Sequence, residues 1–78
     1  MKELLIALAQ GLVNDPAAVR VVVDDPDEEG VAFYHLHVAP DDMGRVIGKQ
    51  GRIAKAIRTI MKSAAIRNNA KISVEIDE

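Results

Sequence analysis

Arg45-Val46-Ile47-Gly48-Lys49-Gln50-Gly51-Arg52-Ile53 sets two glycines around a basic and a polar residue, between segments that read as the end of one helix and the start of another. Helices joined by so short a link must turn sharply, and glycine supplies backbone angles that a Cβ would oppose. The missing side chains also let another backbone come close. Amides at the start of the following helix carry partial positive charge, and Lys49 and Arg52 add full charges beside them, so a phosphate is well accommodated there. Taken alone, Gly-x-x-Gly is equally what a plain helix–helix corner requires.

Working outward, residues 52–67 place Ile53, Ile57, Ile60, Met61 and Ala64 on one side at 100° per residue, with Arg52, Lys55, Arg58 and Lys62 opposite. Upstream, Pro40 stops an extended run, and Asp41 or Asp42 is suited to cap a short helix through Ile47 that Gly48 ends. Asn68-Asn69 tolerates the left-handed conformation that closes a helix. Lys71 to Ile76 then alternates as a strand with Ile72, Val74 and Ile76 inward. Before the turn, Val31 to Ala39 alternates with Tyr34, Leu36 and Val38 on the core face and Phe33, His35 and His37 on the other. Val19 to Asp24 is a β-branched strand with Val19, Val21 and Val23 on one face. Asp24 to Gly30 is a turn by its proline, glycine and charge. Leu4, Leu5, Leu8, Ala9, Leu12 and Val13 make a one-sided helix ended by Asn14-Asp15-Pro16. The order is α-β-β-α-α-β, in the α+β class, and residues 1–78 form one domain whose modest core must come from apolar burial.

Charge is strongly polarised along the chain. Met43 to Val74 contains Arg45, Lys49, Arg52, Lys55, Arg58, Lys62, Arg67 and Lys71 and no acid, a formal +8. The remainder sets Lys2 and Arg20 against all 12 acids, −10, so the net −2 conceals a basic surface. A polyanion responds to that local field, and the acidic average does not exclude nucleic acid. A basic helix face is ordinarily just solvated, but wet helices commonly interleave both signs and this one does not.

Val46-Ile47-Gly48-Lys49-Gln50-Gly51-Arg52-Ile53-Ala54-Lys55-Ala56-Ile57 resembles the KH-domain signature: an apolar pair, Gly-x-x-Gly, then isoleucine two residues after the second glycine. The element order resembles a type II KH fold over essentially the whole chain, and a domain of this length looks like the small bacterial KhpA family. That resemblance implies a three-stranded mixed sheet with the helices on one face and a groove for about four single-stranded nucleotides. By position it implies that Gly48, Lys49, Gln50 and Gly51 face the sugar-phosphate backbone, with Ile47 and Ile53 in an apolar floor under the bases. Arg45, Arg52 and Lys55 are added from charge and helical phase. The resemblance also implies a homodimer, a larger KH-containing partner, and influence on cell elongation and division through RNA, in the manner of an RNA chaperone or post-transcriptional regulator. With aromatic residues at 3%, ring stacking is not the main source of affinity, so sequence-tolerant binding dominated by backbone contacts is expected, with single-stranded DNA as a second acceptable strand. The acidic segment 24–29 falls where the type II family has its variable loop near the groove, which disfavours high affinity and favours a role needing a second protein.

Other chemistries find little support. Hydrophobic residues at 49% with no membrane-length apolar run place the chain among globular proteins away from membranes. Glu3 spoils a signal-peptide reading of the first residues. Zero cysteines exclude disulfides and thiolate metal sites and fit a cytoplasmic location. His35 and His37 share a strand face but lack further metal ligands. Lys49 is followed by Gln50 rather than Ser or Thr, so a nucleotide P-loop fails. No nucleophile motif joins Thr59, Ser63 or Ser73 to a histidine, so no enzyme, cofactor or metal is expected. A different class of reading gives the helix-turn-helix face to self-association or to docking another KH-containing protein; Met61 and Ala64-Ala65 read as core, with the small residues there also permitting close helix contact in a dimer.

Overall fold

Leucine and alanine at three- and four-residue steps make α1, Lys2–Leu12, whose Leu5 and Ala9 are buried while Ile6 and Leu8 pack against the core from its flanks. The chain leaves it in extended conformation at Val13, and a 3-10 turn at Pro16–Ala18, favoured by the fixed φ of proline, redirects it into the sheet. The computed structural model describes residues 1–77, with the side chains of Lys49, Gln50 and Asp77 outside that description.

Three strands follow the expected alternation: β1, Arg20–Val23, β2, Val31–His37, and β3, Lys71–Asp77. β2 is central, antiparallel to β1 (Val21 opposite Leu36) and parallel to β3 (Tyr34 opposite Val74). Val21, Leu36 and Val74 are buried on one face, and Val38 is buried just past the end of β2. Val22, His35 and Glu75 line up in register on the other face. β1 is shorter than the sequence suggests: Val19 packs on the core from outside the strand, and Val23 is 40% exposed.

Parallel strands need a crossover, and α2, Pro40–Arg67, provides it. The sequence divides this stretch into two helices at Gly48 and Gly51, whereas helical structure runs through the link. The direction nonetheless changes there. Gly51 has φ 68°, outside the right-handed helical region. A straight helix of this length would reach about 40 Å, beyond the 34 Å long axis of the whole molecule. α2 is therefore two arms, residues 40–50 and 52–67, meeting at a glycine corner. The first arm buries Met43 and Val46, and the second buries Ala54, Ile57, Met61 and Ala65.

Both ends of α2 are informative. Pro40 opens the helix, and no side chain caps it; the expected cap by Asp41 or Asp42 is not made. Asp42, only 2% exposed, instead accepts the amides of Asn14 at 3.0 Å and Asp15 at 3.1 Å, so it ties the exit of α1 to the start of α2. At the other end Asn69 is left-handed (φ 54°), the Ala70 amide donates to Ala65 O at 2.8 Å and the Asn69 amide donates to Ile66 O at 3.1 Å. That is a Schellman closure with asparagine in the place more often taken by glycine. The helices occupy one face of the sheet, the α+β arrangement expected of a type II KH fold.

Candidate nucleic-acid interface

The two glycines differ in what they do. Gly51 needs its missing side chain for its backbone angle, whereas Gly48 is without a positive φ, so the expectation that both supply special angles holds for Gly51 alone. Among the described residues, an added Cβ at either would meet no heavy atom within 4 Å beyond its chain neighbours and the helix's own backbone. The corner is thus bare on its outer side, where another backbone can approach.

Around it, Arg45, Arg52 and Lys55 are exposed. Arg45 leans toward α1, its Nη1 donating to Asn14 Oδ1 at 3.4 Å. Ile47 is 52% exposed beside the corner, while Ile53 is half-buried and packs against the core. The proposed apolar floor is therefore anchored at Ile53 and open at Ile47. The side-chain placements expected of Lys49 and Gln50 lie outside the described residues.

Sheet topology extends this surface in a way the sequence does not announce. Because β3 is an edge strand parallel to β2, its free edge runs beside the second arm of α2. A cleft of about 450 Å³ lies between them, lined by Arg58 and Lys62 from the helix and Ile72, Ser73, Val74 and Glu75 from the strand. Arg58 reaches the strand backbone directly, Nε donating to Val74 O at 3.3 Å. Lys55, Arg58 and Lys62 share one flank of the helix, so the cleft continues the cationic line that starts at the corner. No local pattern marks Ser73 or Val74 as cleft residues; only strand order does.

The acidic hairpin stands at the far end. Lys71 pairs with Val31, so the second arm, about 24 Å long, returns from the corner to the end of the sheet where the segment 24–30 enters β2. The acids expected near the groove therefore stand at its far end, away from Gly48 to Gly51. Asp24 Oδ2 lies 2.7 Å from His35 Nε2, and Asp27 Oδ1 accepts the amides of Glu29 at 2.9 Å and Val31 at 3.0 Å. Among the described residues, no group of three or more His, Cys, Asp or Glu side chains is placed to hold a metal, and no helix is long and apolar enough to cross a membrane.

A second hollow, about 500 Å³, opens on the opposite flank of the same arm, between it and α1, with Leu4, Ile60, Ser63, Ala64 and Arg67 among its lining. Ile60, expected in the core, is 44% exposed here. Ala54 and Ala65 take the closely packed row instead, and Met61, at 0%, is wholly internal and so offers nothing to a partner.

Comparison with known proteins agrees with this architecture. The fold resembles the solved structure of Era from Aquifex aeolicus, at TM-score 0.67 and 18% identity, covering 96% of this chain and 28% of that one. A further Era structure, in complex with MgGDPNP and a segment of 16S ribosomal RNA, superposes at TM-score 0.64, again over 28% of its length. Much closer in sequence is the RNA-binding protein KhpA of Clostridium perfringens, 53% identical over 97% of this chain and 99% of that protein. KhpA of Clostridium acetobutylicum is 51% identical over the same shares, and KhpA of Listeria monocytogenes is 45% identical over the full length of both. The profile described as KhpA/KhpB, KH domain, matches residues 2–76, and the chain belongs to that family.

Proposed function

We propose that this protein binds single-stranded RNA, holding the sugar-phosphate backbone at Gly48 to Gly51 and laying bases into the cleft between the second arm of α2 and β3. It is a binding module and not an enzyme. The observation that carries the reading is the junction of a bare glycine corner with an uninterrupted cationic flank: Arg52 and Lys55 stand exposed beside it, and Arg58 and Lys62 line the cleft. Phosphates take the corner amides and cations, while Ile53 and Ile72 offer apolar contact. No aromatic ring lines the cleft, so affinity depends mainly on charge, and single-stranded DNA competes to the extent that no 2′-OH is read. An RNA chaperone or regulator acting on cell elongation and division fits such sequence-tolerant binding.

The test is titration with oligoribonucleotides followed by amide NMR. Shifts centred on Gly48 to Lys62 and Ile72 to Glu75, with log affinity falling against log salt at a slope of about −2 to −3.5 for three to five neutralised phosphates, are expected. Unmoved corner resonances, or a complex indifferent to salt, would remove the reading.

The exposed apolar pair Leu4 and Ile60 on the α1 flank favours a second, compatible reading, in which that hollow supports a homodimer or a larger KH-containing partner. Sedimentation of the protein with and without RNA separates them: a dimer that persists on saturation with RNA uses the α1 flank, and one that dissociates shares the RNA surface.

A further inference from the structure

The cationic flank does not end with the cleft. Lys62 and Ile72 also border a neighbouring cavity of about 300 Å³ at the far end of the second arm. Its walls include Val31, Ile66 and Ala70, and Lys71 stands with Lys62 at its rim. Ile66 is 69% exposed, the most open of the large exposed hydrophobic side chains, and among the described residues no acid lines the cavity. Ile66, Ala70 and Ile72 together form a small apolar surface between two lysines, suited to a ligand carrying an apolar face between negative groups.

We infer that this cavity is a distal subsite for the same strand: one base lies on Ile66, Ala70 and Ile72 while Lys62 and Lys71 hold the phosphates on either side. The inference rests on the RNA reading above and extends it. Continuity decides the occupant, because Lys62 and Ile72 belong to both hollows and a strand leaving the cleft passes directly into the cavity. Charge agrees, since both rim groups are cations. The footprint also gains an end. Val31 is preceded by the hairpin that carries exposed Asp25, Glu28 and Glu29, held in shape by the bonds to Asp27, and a polyanion is repelled there.

From Gly51 to Ile66 the arm rises about 22 Å, and the cavity lies past the corner and cleft, whose groove takes about four nucleotides. Oligouridylates of about four nucleotides therefore occupy the corner and cleft, and those of about eight reach the cavity as well. Because a longer strand also offers several registers to a short site, the informative quantity is each variant's affinity against wild type at fixed length. Ile66→Ser and Lys71→Ala, both at exposed side chains, are expected to weaken the long oligonucleotide about fivefold, the low end for one base contact, and to leave the short one within about twofold. Equal effects at both lengths, or none at the longer, would overturn the subsite while leaving the corner reading intact. Failure of wild type to bind at either length would instead defeat the RNA reading itself. A change in sedimentation of RNA-free Ile66→Ser with the long-strand affinity preserved would assign the patch to a second copy of the chain and overturn the subsite.

Discussion

The two flanks of the second arm of α2 carry hollows of similar size and different makeup. Facing β3, about 450 Å³ is bordered by Arg58 and Lys62; facing α1, about 500 Å³ is bordered by Leu4 and Ile60. At 100° per residue, Lys55, Arg58 and Lys62 fall within about 60° of one another, and Ile60, Ser63, Ala64 and Arg67 fall within about 100° on the other side of the buried row. A single helical period thus sorts two surfaces, and what differs is the neighbour. An open strand edge presents backbone polar groups beside cations, which suits a polyanion. A second helix presents leucine beside isoleucine, which suits an apolar side chain. On the proposed reading, charge along the sequence locates the binding region, while the sheet edge selects which flank of the helix takes the strand.

The strongest way to break this comparison is to reverse charge where the first flank begins. Lys49→Asp with Gln50→Asp, both glycines retained, is expected to lower RNA affinity about a hundredfold or more, since on the proposed reading two positions beside the phosphates become repulsive and each lost charge-assisted contact is worth about 1.5–3 kcal/mol. Circular dichroism should remain that of wild type. A filter-binding curve superimposed on wild type would mean that the corner is only a corner.

The second flank depends on how α1 is held, and Asp42 tests that link. Asp42→Ala leaves the amides of Asn14 and Asp15 without the carboxylate they now share. The expected loss is about 2–3 kcal/mol in urea denaturation, each abandoned buried donor costing about 1–3 kcal/mol less what water recovers at these exposed residues. For a domain whose total stability is of order 5 kcal/mol that is a large share. Asp42→Asn, which keeps one acceptor oxygen, should lose about half as much. A change within about 0.5 kcal/mol for the alanine variant would show that α1 docks through Leu5 and Ala9 alone.

Gly51→Ala probes the corner from which both flanks diverge. Its φ of 68° makes a Cβ costly, while among the described residues nothing beyond its neighbours obstructs one within 4 Å, so the effect is conformational. The expected destabilisation is about 1–2 kcal/mol, and Gly51→Asn should cost clearly less, because asparagine enters the left-handed region more readily. Equal losses for the two variants would point to packing instead of backbone angle. Asn69 is the internal precedent, holding φ 54° at the end of the same helix.

Much of this architecture is legible in the sequence because it is local. The spacing of Leu5 and Ala9, the alternation of Leu36 with its neighbours and the asparagines after Arg67 each act over a few residues, and each element forms where its pattern lies. What escapes has a tertiary cause. Asp42 reads as a helix cap, but its partners lie 28 and 27 residues away, and burial against the exit of α1 outweighs the local bond. Ile60 reads as core by hydrophobicity, yet the close approach of helix to sheet selects the small side chains of Ala54 and Ala65. Ser73 and Glu75 read as alternate positions of a strand, and they become cleft residues only because β3 takes the edge of the sheet.

Glu75 offers the finest test, because among the described residues it is the one acid lining the cationic cleft. A strand lying between Arg58, Lys62 and β3 brings phosphate near an exposed carboxylate. At 4 Å in water two unit charges interact by about 1 kcal/mol, and salt at 0.1 M screens beyond about 10 Å, so a partly screened repulsion of several tenths of a kcal/mol is the scale. Glu75→Gln should then raise RNA affinity about twofold at low salt, with the gain shrinking as salt is added and no effect on self-association. The sign matters more than the size. If neutralising Glu75 weakens binding, the carboxylate is accepting a hydrogen bond from a base edge and the cleft reads sequence; if it changes nothing at low salt, the strand does not run along β3 and the cations of this flank act from a distance.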